Sequence, residues 1–125
     1  MLKPQNCCKK FAEIYSLCSV ILSIMSKRFY VLHLLPLRKD FATTMTDDER
    51  SVMLQHIEYW KHLMQQGKVY AFGPVMHPDG VYGLGIVSVE NEAELKRIID
   101  ADPAGKINSY EFFSMRAVVP ELKPD

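Results

Sequence analysis

Phe29-Tyr30-Val31-Leu32-His33-Leu34-Leu35 carries aromatic and aliphatic residues on both alternating faces and stops at Pro36. A strand solvated on one side alternates apolar with polar residues. This one does not, so it reads as a strand buried on both sides. Any sheet it joins must therefore be covered on two faces.

The segments that follow supply the rest of that sheet. Arg38 to Thr46 is polar and reads as irregular. Thr46-Asp47-Asp48-Glu49 has the form of a capping box, in which the threonine hydroxyl serves an early amide and Glu49 reaches back to the cap. The acidic first turn suits the helix dipole. The helix is expected to reach about Gln66, where Gly67 provides a left-handed stop. Lys68 to Phe72 reads as a second strand ending at Gly73-Pro74, and His77-Pro78-Asp79-Gly80 as a turn. Val81 to Val89 makes a third strand and a hairpin with the second. Asn91-Glu92-Ala93-Glu94 caps a second helix through about Ile99, ended by Asp100-Ala101-Asp102-Pro103; Ser109 to Val118 is the last strand.

The order is β-α-β-β-α-β, an α+β protomer of ferredoxin-like type. Two amphipathic helices cover one face of such a sheet. Yet Tyr30, Leu32 and Leu34 oppose Phe29, Val31 and Leu35, and Phe112 and Val118 oppose Phe113, Met115 and Val119. A bare apolar face of several hundred Å² is more than soluble monomers normally tolerate. Face-to-face pairing into a dimeric α+β barrel is the economical solution.

The first helix contains one residue that does not fit simple packing. In Ser51-Val52-Met53-Leu54-Gln55-His56-Ile57-Glu58-Tyr59-Trp60-Lys61-His62-Leu63-Met64, a step of about 100° per residue gathers Val52, Met53, Ile57, Trp60, Leu63 and Met64 on one face. His56 falls near the middle of that face, whereas His62 lies opposite with Gln55, Glu58 and Gln65. An imidazole aimed into apolar packing needs a hydrogen-bonding partner or a chemical purpose.

Composition narrows the remaining options. Fifteen basic and fifteen acidic side chains cancel among 125 residues, leaving no electrostatic footprint for nucleic acid. Cys7, Cys8 and Cys18 all precede the first strand, so neither a disulfide framework nor a thiol nucleophile is expected in the domain body. His33, His56, His62 and His77 lack the paired spacing of a zinc motif, and no metal is expected. No Gly-rich phosphate loop suggests a nucleotide, so no cofactor is expected either. Lys3, Lys9 and Lys10 precede an apolar stretch from Ile14 to Met25, too short for the ~20 residues of a membrane span. An extension outside the core, an added helix and a targeting segment remain open readings for residues 1–24. The working domain is placed at 25–120, followed by a tail at 121–125.

Taken together, His56, the helix end eleven positions later at Gly67, the short strand into Gly73-Pro74, the Asp79-Gly80 turn, and Asp102-Pro103 after the second helix resemble the YciI-like (YCII-related) family. The resemblance covers roughly Phe29 to Val118. It implies a dimeric α+β barrel and a His–Asp pair in a pocket beside the sheet, proposed as the family's active site. By position that pair is His56 with Asp79. A similar member eliminates chloride from a chlorinated hydroxyhydroquinone, while most members have no assigned reaction. The N-terminal extension departs from the family pattern, and the stretch from Pro103 to Tyr110 looks about two residues short.

Each candidate has a plainer reading beside the functional one. His56 is either an acid/base group oriented by a carboxylate or a core histidine bonded to a backbone carbonyl. Asp79 is its partner or a turn aspartate bonding its own backbone, and the two roles are compatible. Trp60 is core or a pocket wall. Gly73 and Gly83 leave room for a ligand or answer to strand-end geometry. His77 reads as a turn residue, and His33 borders either the pocket or the dimer interface. The leading expectation is a small cytoplasmic, cofactor-independent enzyme, a lyase or isomerase acting by elimination or isomerisation on a small organic molecule. The alternative is a non-catalytic ligand-binding or sensing dimer.

Overall fold

The structure, a computed structural model, describes residues 27–120. The expected extension at 1–24 and tail at 121–125 lie outside the described residues. Strand β1 (Arg28–Pro36) leads through a short helix α1 (Phe41–Thr44) to the long helix α2 (Asp47–Gln65). Then come β2 (Val69–Val75), β3 (Tyr82–Val89), helix α3 (Glu92–Ala101), a 3-10 turn (Pro103–Lys106) and β4 (Asn108–Met115). The four strands form one sheet of order β2-β3-β1-β4, antiparallel at every pairing. This is the expected mixed α+β arrangement.

Local chemistry sets the helix ends. The Thr46 hydroxyl accepts from Glu49 N at 3.1 Å, while the Glu49 carboxylate accepts two N–H bonds from Arg38 at 3.0 and 3.2 Å. At the other end, Lys68 N donates to Leu63 O and Gly67 N to Met64 O, both at 3.0 Å. That pair closes the helix as a Schellman motif, with Gly67 at φ +78°. Asn91 caps α3 by accepting from Glu94 N at 2.9 Å.

Three boundaries differ from expectation. The segment read as irregular contains α1, because the Asp40 carbonyl accepts from the Thr43 and Thr44 amides and hydroxyls while Phe41 is buried beneath the Arg38 guanidinium. Strand β2 continues through Pro74, which an edge strand tolerates because no further strand needs its missing donor. Strand β4 stops at Met115 rather than Val118. Met115 pairs with Phe29 near the start of β1, so the chain beyond has no partner strand and Val118 is fully exposed.

One sheet face packs on the helices. Tyr30, Leu32, Val87 and Val89 meet Trp60 and Leu63 from α2 and Leu95 and Ile98 from α3. The buried stripe of α2 is narrower than the sequence suggests. Trp60 and Leu63 are buried and Met53 partly so, but Ile57 and Met64 lie at its margins and stay exposed. A cylinder resting on a sheet covers only its line of contact. The opposite sheet face carries Phe29, Val31, Leu35 and Ile86, each half-buried, beside the exposed Phe113 and Met115.

Candidate functional site

Asp102 is held in place by the way α3 ends. The residue before a proline is driven out of the helical region, so Pro103 forces Asp102 to extended backbone at φ −73°, ψ 124°. Its carboxylate then caps the following 3-10 turn, with Oδ1 accepting from Ala104 N at 2.9 Å. The side chain is completely buried under α2.

Two residues one helical turn apart on α2 meet this carboxylate, since i and i+4 share a face. His56 Nδ1 lies 2.8 Å from Oδ2 and 2.9 Å from Oδ1, and Trp60 Nε1 donates to Oδ2 at 2.7 Å. From β4, the Tyr110 hydroxyl donates to Oδ2 as well. An ionised carboxylate only accepts, so the shared proton sits on Nδ1 of His56. Nε2 is then the basic nitrogen, and it has no hydrogen-bond partner among the described residues.

Burial alone would push the Asp102 carboxyl upward. Hydrogen bonds from His56, Tyr110 and Trp60 outweigh it and hold Asp102 below the ordinary aspartate range. The same contact works in reverse on Tyr110: burial, then the bond to the negative Asp102, raises its phenol well above the usual value. Tyr110 is therefore a fixed donor, not a second base. Tyr59 adds a brace, donating to Ile98 O at 2.8 Å and tying α2 to the last turn of α3.

In front of His56 lies a cavity of about 390 Å³ between α1, α2 and the helix-facing side of the sheet. Leu32, Leu34, Phe41, Met53, Trp60 and Phe72 supply much of its wall. The volume is within the range of small-molecule sites. The model of the YCII-related domain family matches residues 30–119 of the chain.

The chain belongs to this family.

The match runs from Tyr30, the third residue of β1, past the end of β4 and includes every side chain around Asp102. Comparison with curated proteins found no match. Among solved structures, a mutant of SnoaB, a cofactor-independent oxygenase from Streptomyces nogalater, aligns with TM-score 0.42 and 13% identity. That alignment covers 77% of this chain and 99% of the other.

Within this YCII-related domain, the structure brings His56 and Trp60 together and leaves Asp79 apart from them. Asp79 is 87% exposed in the β2–β3 turn, where its own N–H donates to His77 Nδ1 at 3.1 Å. The expected His56–Asp79 pairing is thus corrected to His56–Asp102, because the turn points its carboxylate to solvent. Asp102 was visible in the sequence only as the residue before Pro103. The signal that distinguishes it from Asp100 is that proline, which makes Asp102 the cap of the next turn. Its convergence with residue 56 is a tertiary fact.

The glycines act differently from one another. A Cβ at Gly73 would meet nothing within 4 Å, although the residue borders the cavity. A Cβ at Gly83 would touch Leu34 at 3.0 Å, so Gly83 accommodates core packing as well as lining the cavity. Gly85 matters most: a Cβ there would lie 2.5 Å from the Trp60 ring. His62 is exposed and contacts Gln66, and His77 is half-exposed in the turn. His33 lies on the far sheet face between Tyr82 and Phe113, with ring centroids at 5.2 and 5.8 Å. Among the described residues, no group of three or more His, Cys, Asp or Glu is placed to hold a metal ion, and no helix is long and apolar enough to cross a membrane.

Proposed function

We propose that this protein is a small-molecule enzyme in which His56 takes and returns a proton. The observation carrying this reading is the buried Asp102 bonded to Nδ1, which fixes the ring and its tautomer while Nε2 has no partner among the described residues. When Nε2 accepts a proton, the resulting imidazolium faces a carboxylate already in hydrogen-bond contact. Asp102 is a positioning residue, with Trp60 and Tyr110 positioning it in turn. Elimination or isomerisation of a compound bearing an acidic hydrogen suits one general acid/base group.

The same chain is proposed to act as a homodimer. The sheet face with Phe113 and Met115, which no described element covers, supports this, since pairing with a second copy buries it. The alternative of a ligand-sensing dimer uses the same cavity without turnover.

Incubation in D2O with a panel of enolisable ketones and hydroxylated arenes tests the enzyme reading, with C–H exchange followed by proton NMR. Exchange in the wild-type protein, abolished in His56→Ala while binding persists, is the expected result. Binding without exchange or conversion in either protein, across the panel, would favour the sensor.

A further inference from the structure

The cavity wall carries a second piece of information, about the charge of what it accepts. Among the described residues, none that line it is Lys, Arg, Asp or Glu. Three of the polar donors at the wall are already engaged. Trp60 Nε1 and the Tyr110 hydroxyl are spent on Asp102, and Asn108 Nδ2 donates to Ala104 O at 3.2 Å and contacts Met53 Sδ at 3.6 Å. The Tyr82 ring packs at a tilt against His33, on the far face of the sheet. Nε2 of His56 is the remaining side-chain nitrogen at the wall able to exchange a proton.

We infer that the site takes a neutral, largely hydrocarbon ligand with a conjugated carbonyl or hydroxyl group, and rejects carboxylates and phosphates. An anion entering this cavity would surrender its hydration to apolar and sulfur-bearing walls that offer no cation in return. It would also approach the buried negative charge of Asp102. A neutral ligand meets neither cost.

Conjugation follows from the chemistry, and this half of the inference rests on His56 acting as the base. A C–H or O–H bond of the ligand breaks, its proton bonds to Nε2, and the electron pair stays on the ligand. The side-chain donors beside His56, Trp60 Nε1 and the Tyr110 hydroxyl, are spent on Asp102, so the new imidazolium N–H is the side-chain donor left next to that negative charge. The ligand must spread the charge over its own π-system. Reprotonation at another atom then gives isomerisation, and departure of a leaving group gives elimination.

Two probes of the same skeleton separate the possibilities: benzylideneacetone, a neutral conjugated ketone, and cinnamate, its carboxylate counterpart. Calorimetry on the full chain at pH 7 is expected to show cinnamate binding weaker by about 100-fold or more, the consequence of a carboxylate left unpaired in a dry site. In Met45→Lys, which puts a cation at a partly exposed position of the wall, the gap is expected to narrow. Equal or tighter binding of cinnamate to the wild-type protein overturns the inference, as does failure of both probes to bind at millimolar concentration. Deuterium exchange at the ketone methyl is read separately. Preference for the ketone with no exchange would remove the base assignment and leave the charge selectivity standing, whereas exchange together with a preference for cinnamate would do the reverse.

Discussion

Trp60 Nε1 donates at 2.7 Å to Oδ2 of Asp102, the oxygen that also lies 2.8 Å from His56 Nδ1. The indole therefore does three things at once: it fills the core, walls the cavity, and supplies a bond that keeps the carboxylate ionised. Stability and the proposed chemistry are joined at that carboxylate, and the consequences can be measured.

Asp102→Asn places an amide among donors that all point at it. The His56, Trp60, Tyr110 and Ala104 donors cannot all be satisfied, and a loss of about 2–4 kcal/mol is expected in urea unfolding. Exchange activity should fall as well, because the ring loses its anionic partner. Asp79→Asn, at an exposed turn, should stay within about 0.5 kcal/mol of wild type. Equal effects of the two substitutions would contradict the site described above.

Acid should weaken the fold in a defined window. The folded protein holds Asp102 below the ordinary aspartate value, so near pH 4 the native protein binds fewer protons than the unfolded chain. Its stabilisation is complete above that pH and is lost as pH falls through the depressed folded value. Glu49, through its Arg38 hydrogen bonds, and Glu94, through the Glu90 amide, shift the same way. Comparing urea midpoints between pH 6 and pH 3 for wild type and Asp102→Asn isolates the Asp102 share. The variant should lose less across the window.

Gly85→Ala tests the packing beneath the site. Its methyl would sit 2.5 Å from Cζ3 and 2.8 Å from Cη2 of Trp60, so the indole must move. Overpacking of this kind costs about 1–3 kcal/mol. Displacement of the ring should also change the fluorescence of Trp60, the chain's single tryptophan. Unaltered emission and an unchanged melting temperature would show that the contact is slack.

Tyr110→Phe removes one hydrogen bond to a charged acceptor while keeping the ring. A loss of about 1.5–3 kcal/mol is expected. Because Tyr110 acts only through Asp102, any loss of exchange activity should be partial, and smaller than in His56→Ala. Loss as complete as in His56→Ala would mean that the phenol touches the reacting atoms.

Light scattering tests the pairing of protomers. A dimer is expected at micromolar concentration, and Phe113→Arg, which puts a charge on the uncovered sheet face, should shift it toward monomer. A wild-type protein that is monomeric throughout that range would rule out the proposed interface.

Much of the fold was legible because its causes are local. The Thr46 cap, the Gly67 stop, the Pro-Asp-Gly turn and the two-faced pattern of Phe29 to Leu35 each act through neighbouring residues or strand period, and the elements formed where these signals stand. Position 56 on the buried stripe followed from helical period in the same way. Short helix α1 has no such local signal, because it depends on Phe41 finding a buried place, and the end of β4 is set by where β1 begins.

The partner of His56 was of the second kind. Periodicity puts an imidazole on a face but says nothing about which distant side chain lies across from it. Asp79 follows a proline and Asp102 precedes one, and neither neighbourhood says which of the two lies across from residue 56. The 3-10 turn after α3 packs against α2 and brings Asp102, forty-six residues from His56, beneath the imidazole, while the β2–β3 hairpin carries Asp79 out to solvent. Hydrogen-bonded backbone periods run along the chain and can be read there. Burial of a carboxylate among His56, Trp60 and Tyr110 requires three separate elements to close together, and only the tertiary structure decides that.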